Sequence, residues 1–392
     1  MTLDIIRPTQ PANLRVRART HRPTTRLVGV EEELLLLNAA TLAPVPASTD
    51  VLRAHAAIAA PANVVLEAES KLEQIEVVSP PLRTHRELLD AVVSGRRTAD
   101  EAARIAGARA AALATVPLLC DSHVAPSPRY DRMSERFALT MAEQLTCGFH
   151  VHVTIGSPEE GVAVLDRIRI WLPLLLALST NSPFWRGADS GYASYRYQAW
   201  GRWPSAGPYD LFRSTDAYFA TVDQMVGTGV ALDAGMVYFD ARLSTHAPTV
   251  EVRVADVCLL PEDAVTISVI VRALVNAAAA EWRDGSPPPE VPTALLRLAS
   301  WRASRFGTSE NLIHPFTGVP RPARECVGAL LDHVNQHFDG LEEAVRAHQG
   351  VKDILARGTG AVHQRTMLAE HGNWTDMMDA AVTRTHSDGV YR

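Results

Sequence analysis

The sequence predicts an α+β fold built on an antiparallel sheet, and three observations carry that expectation. Several short segments alternate apolar and polar residues with the period of two that marks a strand. Ala- and Leu-rich stretches with helical spacing lie between and after them, without the regular βαβ alternation of a parallel sheet. The polar positions of the strands are Glu, His and Arg, set among Val, Leu and Ile. A solvated face gives the same alternation but typically mixes Lys, Thr, Ser, Gln and Glu. Repeated over several strands, this choice predicts a sheet whose second face lines a cavity.

In chain order, residues 1–24 are polar and Pro-containing and are expected to be loosely ordered. Residues 25–385 are expected to form a single domain. GVEEELLLL places Glu31 and Glu33 on one strand face and Glu32 on the other. In LEQIEVVS, 72–79, Gln74 and Glu76 share a face and Glu73 opposes them. The Ala-rich stretch 86–118 predicts a helix. In CGFHVHVTI, 147–155, His150, His152 and Thr154 point one way and Phe149, Val151, Val153 and Ile155 the other. Residues 158–181 and 261–283 predict helices, the second opened by Pro261 with Glu262 and Asp263 in its first turn. YFDARLST sets Asp240, Arg242 and Ser244 on one face, and TVEVRVADV does the same for Glu251 and Arg253. SPPPEVPT, 286–293, is the best internal boundary, and 294–381 reads as mostly helical.

With 392 residues, 47% of them hydrophobic, the chain can bury a large core. A net charge of −6 offers no basic field for nucleic acid. Cys120, Cys147, Cys258 and Cys326 form no CxxC pair, which argues against a disulfide framework or zinc knuckle. The N-terminus lacks a continuous apolar signal region, and IWLPLLLAL, 170–178, is too short to cross a bilayer. A cytoplasmic protein without membrane contact is expected.

Carboxylates that face one another in a cavity repel unless cations lie between them. A divalent metal is the cheapest solution, and the excess of Glu oxygens favours Mg²⁺ or Mn²⁺. The His150-x-His152 pair keeps zinc as a rival, with Glu251 as third ligand. There is no Walker A motif, and GTGAVH and GTGVALDAG lack the dinucleotide glycine spacing. Acidic clusters with arginines hold nucleotides another way: metals bridge the phosphates and arginines neutralise developing charge.

GVEEE, LEQIEVVSPP, CGFHVHVTI, SPFWRGADSGYASYR, STHAPTVEVRVADV, WRASRFG and ARGTGAVHQR recur in this order in the type 2 glutamate–cysteine ligases, also called carboxylate–amine ligases. The sequence resembles that family from about residue 26 to 368. The resemblance implies a glutamine synthetase/guanido kinase-like catalytic fold, a bent antiparallel sheet forming a funnel with helices outside. It implies ATP-dependent amide formation between the γ-carboxylate of glutamate and an amine, cysteine in the reference activity, through an acyl phosphate. It leaves a homo-oligomer open. By motif position, Glu31, Glu33 and Glu76 resemble metal ligands, His150 a ligand of a second metal, and His152 a metal or phosphate contact. Glu251 resembles a bridging ligand and Arg253 the arginine that grips phosphate. Arg186 and Arg196, with Tyr192 and Tyr195 nearby, are candidates for substrate carboxylate or phosphates. Arg357 and Arg365 are candidates to close the site.

Duller readings stand beside these. Glu32 is structural or a surface charge, Asp189 caps a turn, and Arg302 and Arg305 hold helices together. His123 and His314 are bystanders, and Cys147 is buried packing. His363 stands where the motif has arginine. No base is paired to a Ser or Cys, which disfavours an acyl-enzyme. Three alternatives stay open: the same chemistry on another amine or acid, a zinc hydrolase on His150, His152 and Glu251, and a fold kept for binding alone.

Overall fold

The computed structural model describes residues 25–58 and 64–387, so the expectation for residues 1–24 lies outside the described residues. Its strands are β1 (Val28–Asn38), β2 (Val65–Ala68), β3 (Gln74–Val78), β4 (Ala108–Ala111), β5 (Gly148–Thr154), β6 (Phe184–Trp185), β7 (Ala188–Asp189), β8 (Ala241–Leu243), β9 (Thr249–Asp256), β10 (Asn311–Ile313) and β11 (Pro320–Pro322). The main sheet runs β2-β3-β1-β5-β9-β8, with β4 paired to the far end of β1. All of its pairings are antiparallel. β6–β7 and β10–β11 are separate hairpins.

Period two decides which side chains meet. Val30, Phe149, Val151, Val153, Val250, Val252 and Val254 belong to one buried cluster with the helix Pro261–Arg283 and the helix Leu172–Ser179. The opposite face carries the acids and histidines in register: Glu67 opposite Glu76, Glu76 opposite Glu33, Glu31 opposite His150, and His152 opposite Glu251. The register shifts between Phe149 and Val151 against β9, a bulge of the kind that re-aims side chains beside active sites. Leu34 to Leu37 are all buried, so the apolar end of β1 is covered on both faces.

Pro261–Arg283 begins at its proline, as the sequence predicts. It is also the described helix long and apolar enough to cross a bilayer, yet it is buried inside the fold. The expected long helices are modified in two places. The Ala-rich helix ends at Ile105, Gly107 takes a φ of +71°, and Ala108–Ala111 turns into β4 against Leu37 and its neighbours. Pairing with β1 overrides the helix propensity of alanine. Residues 158–181 divide into Pro158–Ile168 and Leu172–Ser179. SPPPEVPT is the connection between Pro261–Arg283 and the helix Thr293–Phe306.

Candidate active site

The polar sheet face lines a cavity of about 480 Å³. Strands β1, β3, β5 and β9 deliver Glu31, Glu33, Glu76, His150, His152, Glu251 and Arg253 to it. Two groups of donor atoms converge within 4.8 Å of one another: Glu31, His150 and Glu251, and Glu33, Glu76 and His150. His150 is common to both, and its Nδ1 lies 3.0 Å from Glu31 Oε2. Two carboxylates with one imidazole form a hard donor set able to take a divalent cation. His152 faces the same cavity, with Nδ1 3.0 Å from Thr249 Oγ1 and Nε2 3.1 Å from Glu31 Oε1.

The electrostatics divide the acids. Burial opposes ionisation of Glu31, but its contacts with His150 and His152 outweigh burial and hold its carboxyl far below the usual range. Glu251 is likewise held low: burial is outweighed by Arg253 and Arg242. Glu76 is pushed well above the usual range by burial, and then by Glu69, Glu31 and Glu33. Burial and Glu33 push Glu69 up to about 8. Carboxylates so crowded favour any cation that separates them.

Arginines frame the acids. Arg242 donates from Nε to Glu251 Oε2 at 2.7 Å and from Nη2 to Oε1 at 3.3 Å, and its Nη1 donates to the Gly235 and Val237 carbonyls. Arg253 donates from Nη1 to the same carboxylate, while its buried Nε has no hydrogen-bond partner among the described residues. Arg196, on the helix Tyr195–Trp200, is buried beside the start of β5, 3.8 Å from Asp256, close enough to Gly148 that a Cβ there would collide with its guanidinium. Its Nε is also buried without a partner among the described residues.

Like Arg196, the other three candidate arginines lie outside the lining of this cavity. Arg186 pairs with Glu143 at 2.9 Å and adopts a φ of +52°. Arg357 pairs with Asp263. Arg365 forks onto Asp189 at 2.7 and 2.8 Å and reaches the Tyr192 carbonyl. Asp189 also accepts the Gly191 N–H, the expected turn. Burial, then Arg384 and Arg357, push His363 down to about 4.

The bland readings are resolved one by one. Glu32 is structural and fully buried: Arg96 donates to it at 2.6 and 3.0 Å. His123 pairs with Glu73, opposite the cavity residues. Cys147 is buried beside Gln74. Arg305 stacks over Tyr192 and Phe306, and Arg302 donates to the Asn311 carbonyl. Sequence reasoning missed Glu67 and Glu69, on and just beyond a four-residue strand, together with Arg129, Tyr130, Trp200, Trp203 and Tyr238, which also line the cavity. The alternation of VLEAES was the available signal for the two acids. The arginine and aromatics sit on helices and loops, where no period marks a cavity.

Residues 27–384 match the model of Glutamate-cysteine ligase family 2 (GCS2). Two relatives bear the name "Putative glutamate--cysteine ligase 2-1". The one from Paenarthrobacter aurescens is 50% identical, covering 94% of this chain and 97% of its own. The one from Streptomyces avermitilis is 48% identical, covering 92% and 99%. Among solved structures, a glutamate–cysteine ligase from Francisella tularensis in complex with AMP is similar in fold, with a TM-score of 0.65, 12% identity, and coverage of 94% and 90%. A bifunctional glutathione synthetase from Pasteurella multocida gives a TM-score of 0.57 at 14% identity, over 92% of this chain and 51% of that one. The chain belongs to the type 2 glutamate–cysteine ligase family, the ATP-dependent carboxylate–amine ligases.

Proposed function

We propose that the enzyme joins the γ-carboxylate of L-glutamate to the amine of L-cysteine, releasing ADP and phosphate. The observation that supports this most is the pair of carboxylate–imidazole clusters sharing His150, with Arg253 beside them. Glu31 and Glu251 would hold one Mg²⁺ or Mn²⁺, and Glu33 and Glu76 a second, with the single lone pair of the neutral His150 ring given to one of the two. When bound, these ions neutralise phosphate charge and align the triphosphate. Arg253 presents its unpaired Nε and its fork to a transferring phosphoryl group, and Arg242 keeps Glu251 oriented. Arg196 donates from Nη2 to the Arg253 carbonyl at 3.5 Å and so braces that strand from outside the cavity lining.

In this reading the γ-carboxylate oxygen attacks the γ-phosphorus of ATP, and ADP leaves. The amine then attacks the acyl carbon and displaces phosphate. Such chemistry needs positioning, charge neutralisation and exclusion of water rather than an acyl-enzyme. A single domain over residues 25–385, a cytoplasmic setting and a homo-oligomer belong to the same proposal. The four cysteines are free, as a reducing compartment requires. Arg186, Arg357 and Arg365 receive no part in it.

The test is phosphate release from ATP with Mg²⁺ and glutamate across a panel of amines that includes cysteine. Release that requires both glutamate and cysteine, with γ-glutamylcysteine found by mass spectrometry, is expected. Release with a different amine instead moves the acceptor and leaves the acid activation in place.

A further inference from the structure

We propose that Arg129 is the specificity residue that binds the second, non-reacting carboxylate of the acid substrate. The inference rests on the glutamate reading above and deepens it.

An acid with two carboxylates needs a cation for the one that is not activated. Arg242 spends Nε, Nη1 and Nη2 on Glu251 and two backbone carbonyls. Arg253 belongs to the phosphate end. Arg129 lines the same cavity from the helix Pro128–Phe137, which buries only Met133 among its ten residues and so forms a lip.

Its geometry is that of an oriented clamp. Arg129 Nε and Nη2 donate to the two oxygens of Asp233 at 2.8 and 3.1 Å, which fixes the plane of the guanidinium. The rest of the group meets a thioether and a phenol: Nη1 lies 3.3 Å from Met133 Sδ, and the Tyr238 hydroxyl also contacts the guanidinium. A thioether is a weak acceptor, and a guanidinium edge matches a carboxylate in two parallel hydrogen bonds. An anion arriving there exchanges a poor partner for a good one, without breaking the Asp233 fork.

The surroundings restrict what arrives. Trp200, Trp203 and Tyr238 pack together with centroids 4.8 to 6.3 Å apart, an aromatic wall that excludes water and stiffens the lip. Glu69, on the loop after β2, also lines the cavity and offers carboxyl oxygen to accept from an ammonium beside that carboxylate. Arginine, acid and aromatic wall together fit the zwitterionic head of an α-amino acid, while its side-chain carboxylate extends to Arg253.

The experiment compares L-glutamate with 4-aminobutyrate, which keeps the reacting carboxylate and lacks the α-carboxylate. Phosphate release from ATP is followed with wild type, Arg129→Gln and Asp233→Asn at a fixed amine concentration. Wild type is expected to favour glutamate in kcat/KM. In Arg129→Gln that preference falls roughly 10- to 100-fold, through KM for glutamate. Asp233→Asn, which loosens the clamp, gives an intermediate fall. A general loss of structure lowers both substrates together and leaves the ratio unchanged, and an unchanged ratio overturns the assignment. A wild type with no preference for glutamate overturns the glutamate reading and this inference with it. A preference that survives in Arg129→Gln overturns the inference alone.

Discussion

Each acid in the cavity owes its charge to a specific neighbour. Glu31 ionises because two imidazoles stand against it, and Glu251 because two arginines do. Removing a first ligand should be severe: Glu31→Gln is expected to lower ATP turnover by roughly 100-fold or more, with circular dichroism unchanged. Glu251 calls for the same conservative change. An alanine there leaves Arg242 and Arg253 without their shared carboxylate, and an uncompensated buried charge unfolds proteins. Arg253→Gln should cost about 10²–10³ in kcat, as for other preorganised donors to developing charge. Glu69 behaves oppositely. Its folded-state value of about 8 lies above the ordinary 4.5, so the folded chain keeps a proton that the unfolded chain gives up between those values. Metal-free stability therefore falls as pH rises from about 4.5 to 8. A cation that relieves the crowding should raise the melting temperature more at pH 8 than at pH 5. An equal Mg²⁺ shift at both would show that the ion binds elsewhere.

At the scale of the element, β1 has two jobs, one for each face. Glu31 and Glu33 serve the cavity. Glu32 points into the core and meets Arg96 of the helix His85–Ile105. Arg96 also donates to the carbonyls of Cys258, Leu259 and Thr385, so one guanidinium ties β1, the end of β9 and the C-terminal helix Trp374–Thr385. Glu32→Ala should destabilise by about 3–5 kcal/mol, because it strands a buried charge. Urea unfolding checks this, and the double change Glu32→Leu, Arg96→Met should recover part of the loss. Strands with long alternation were legible in the sequence because period two forces the face of every residue. β1, β3, β5 and β9 fall where the alternation places them. β4 was not legible: ARAA carries alanine, a helix former, and becomes a strand only because β1 offers a free edge. β2 was too short to announce itself, which is why Glu67 and Glu69 were missed.

At the scale of the whole molecule, the sheet separates two environments. Helices cover one face with the largest apolar cluster, and the other face gathers charge that would be untenable without partners. Sequence alone located the cavity-facing acids and histidines, since each lies on a regular strand. It did not distinguish Arg253, which lines the cavity, from Arg196, Arg186, Arg357 and Arg365, which do not. All five occur in recurring motifs, and only the fold shows that the last three hold Glu143, Asp263 and Asp189. The lip with Arg129 and its aromatic wall is assembled from helices and loops far apart in the chain.

The central claim is that ATP activates an acid substrate in this cavity, and isotope transfer tests it most directly. L-glutamate labelled with ¹⁸O in the γ-carboxylate is incubated with enzyme, ATP, Mg²⁺ and the amine that supports turnover, and the released phosphate is analysed by mass spectrometry. The account predicts one ¹⁸O in each phosphate formed, carried over when the amine displaces it from the acyl phosphate. Phosphate that carries oxygen only from water and ATP would contradict it, because the carboxylate would never have been bonded to phosphorus.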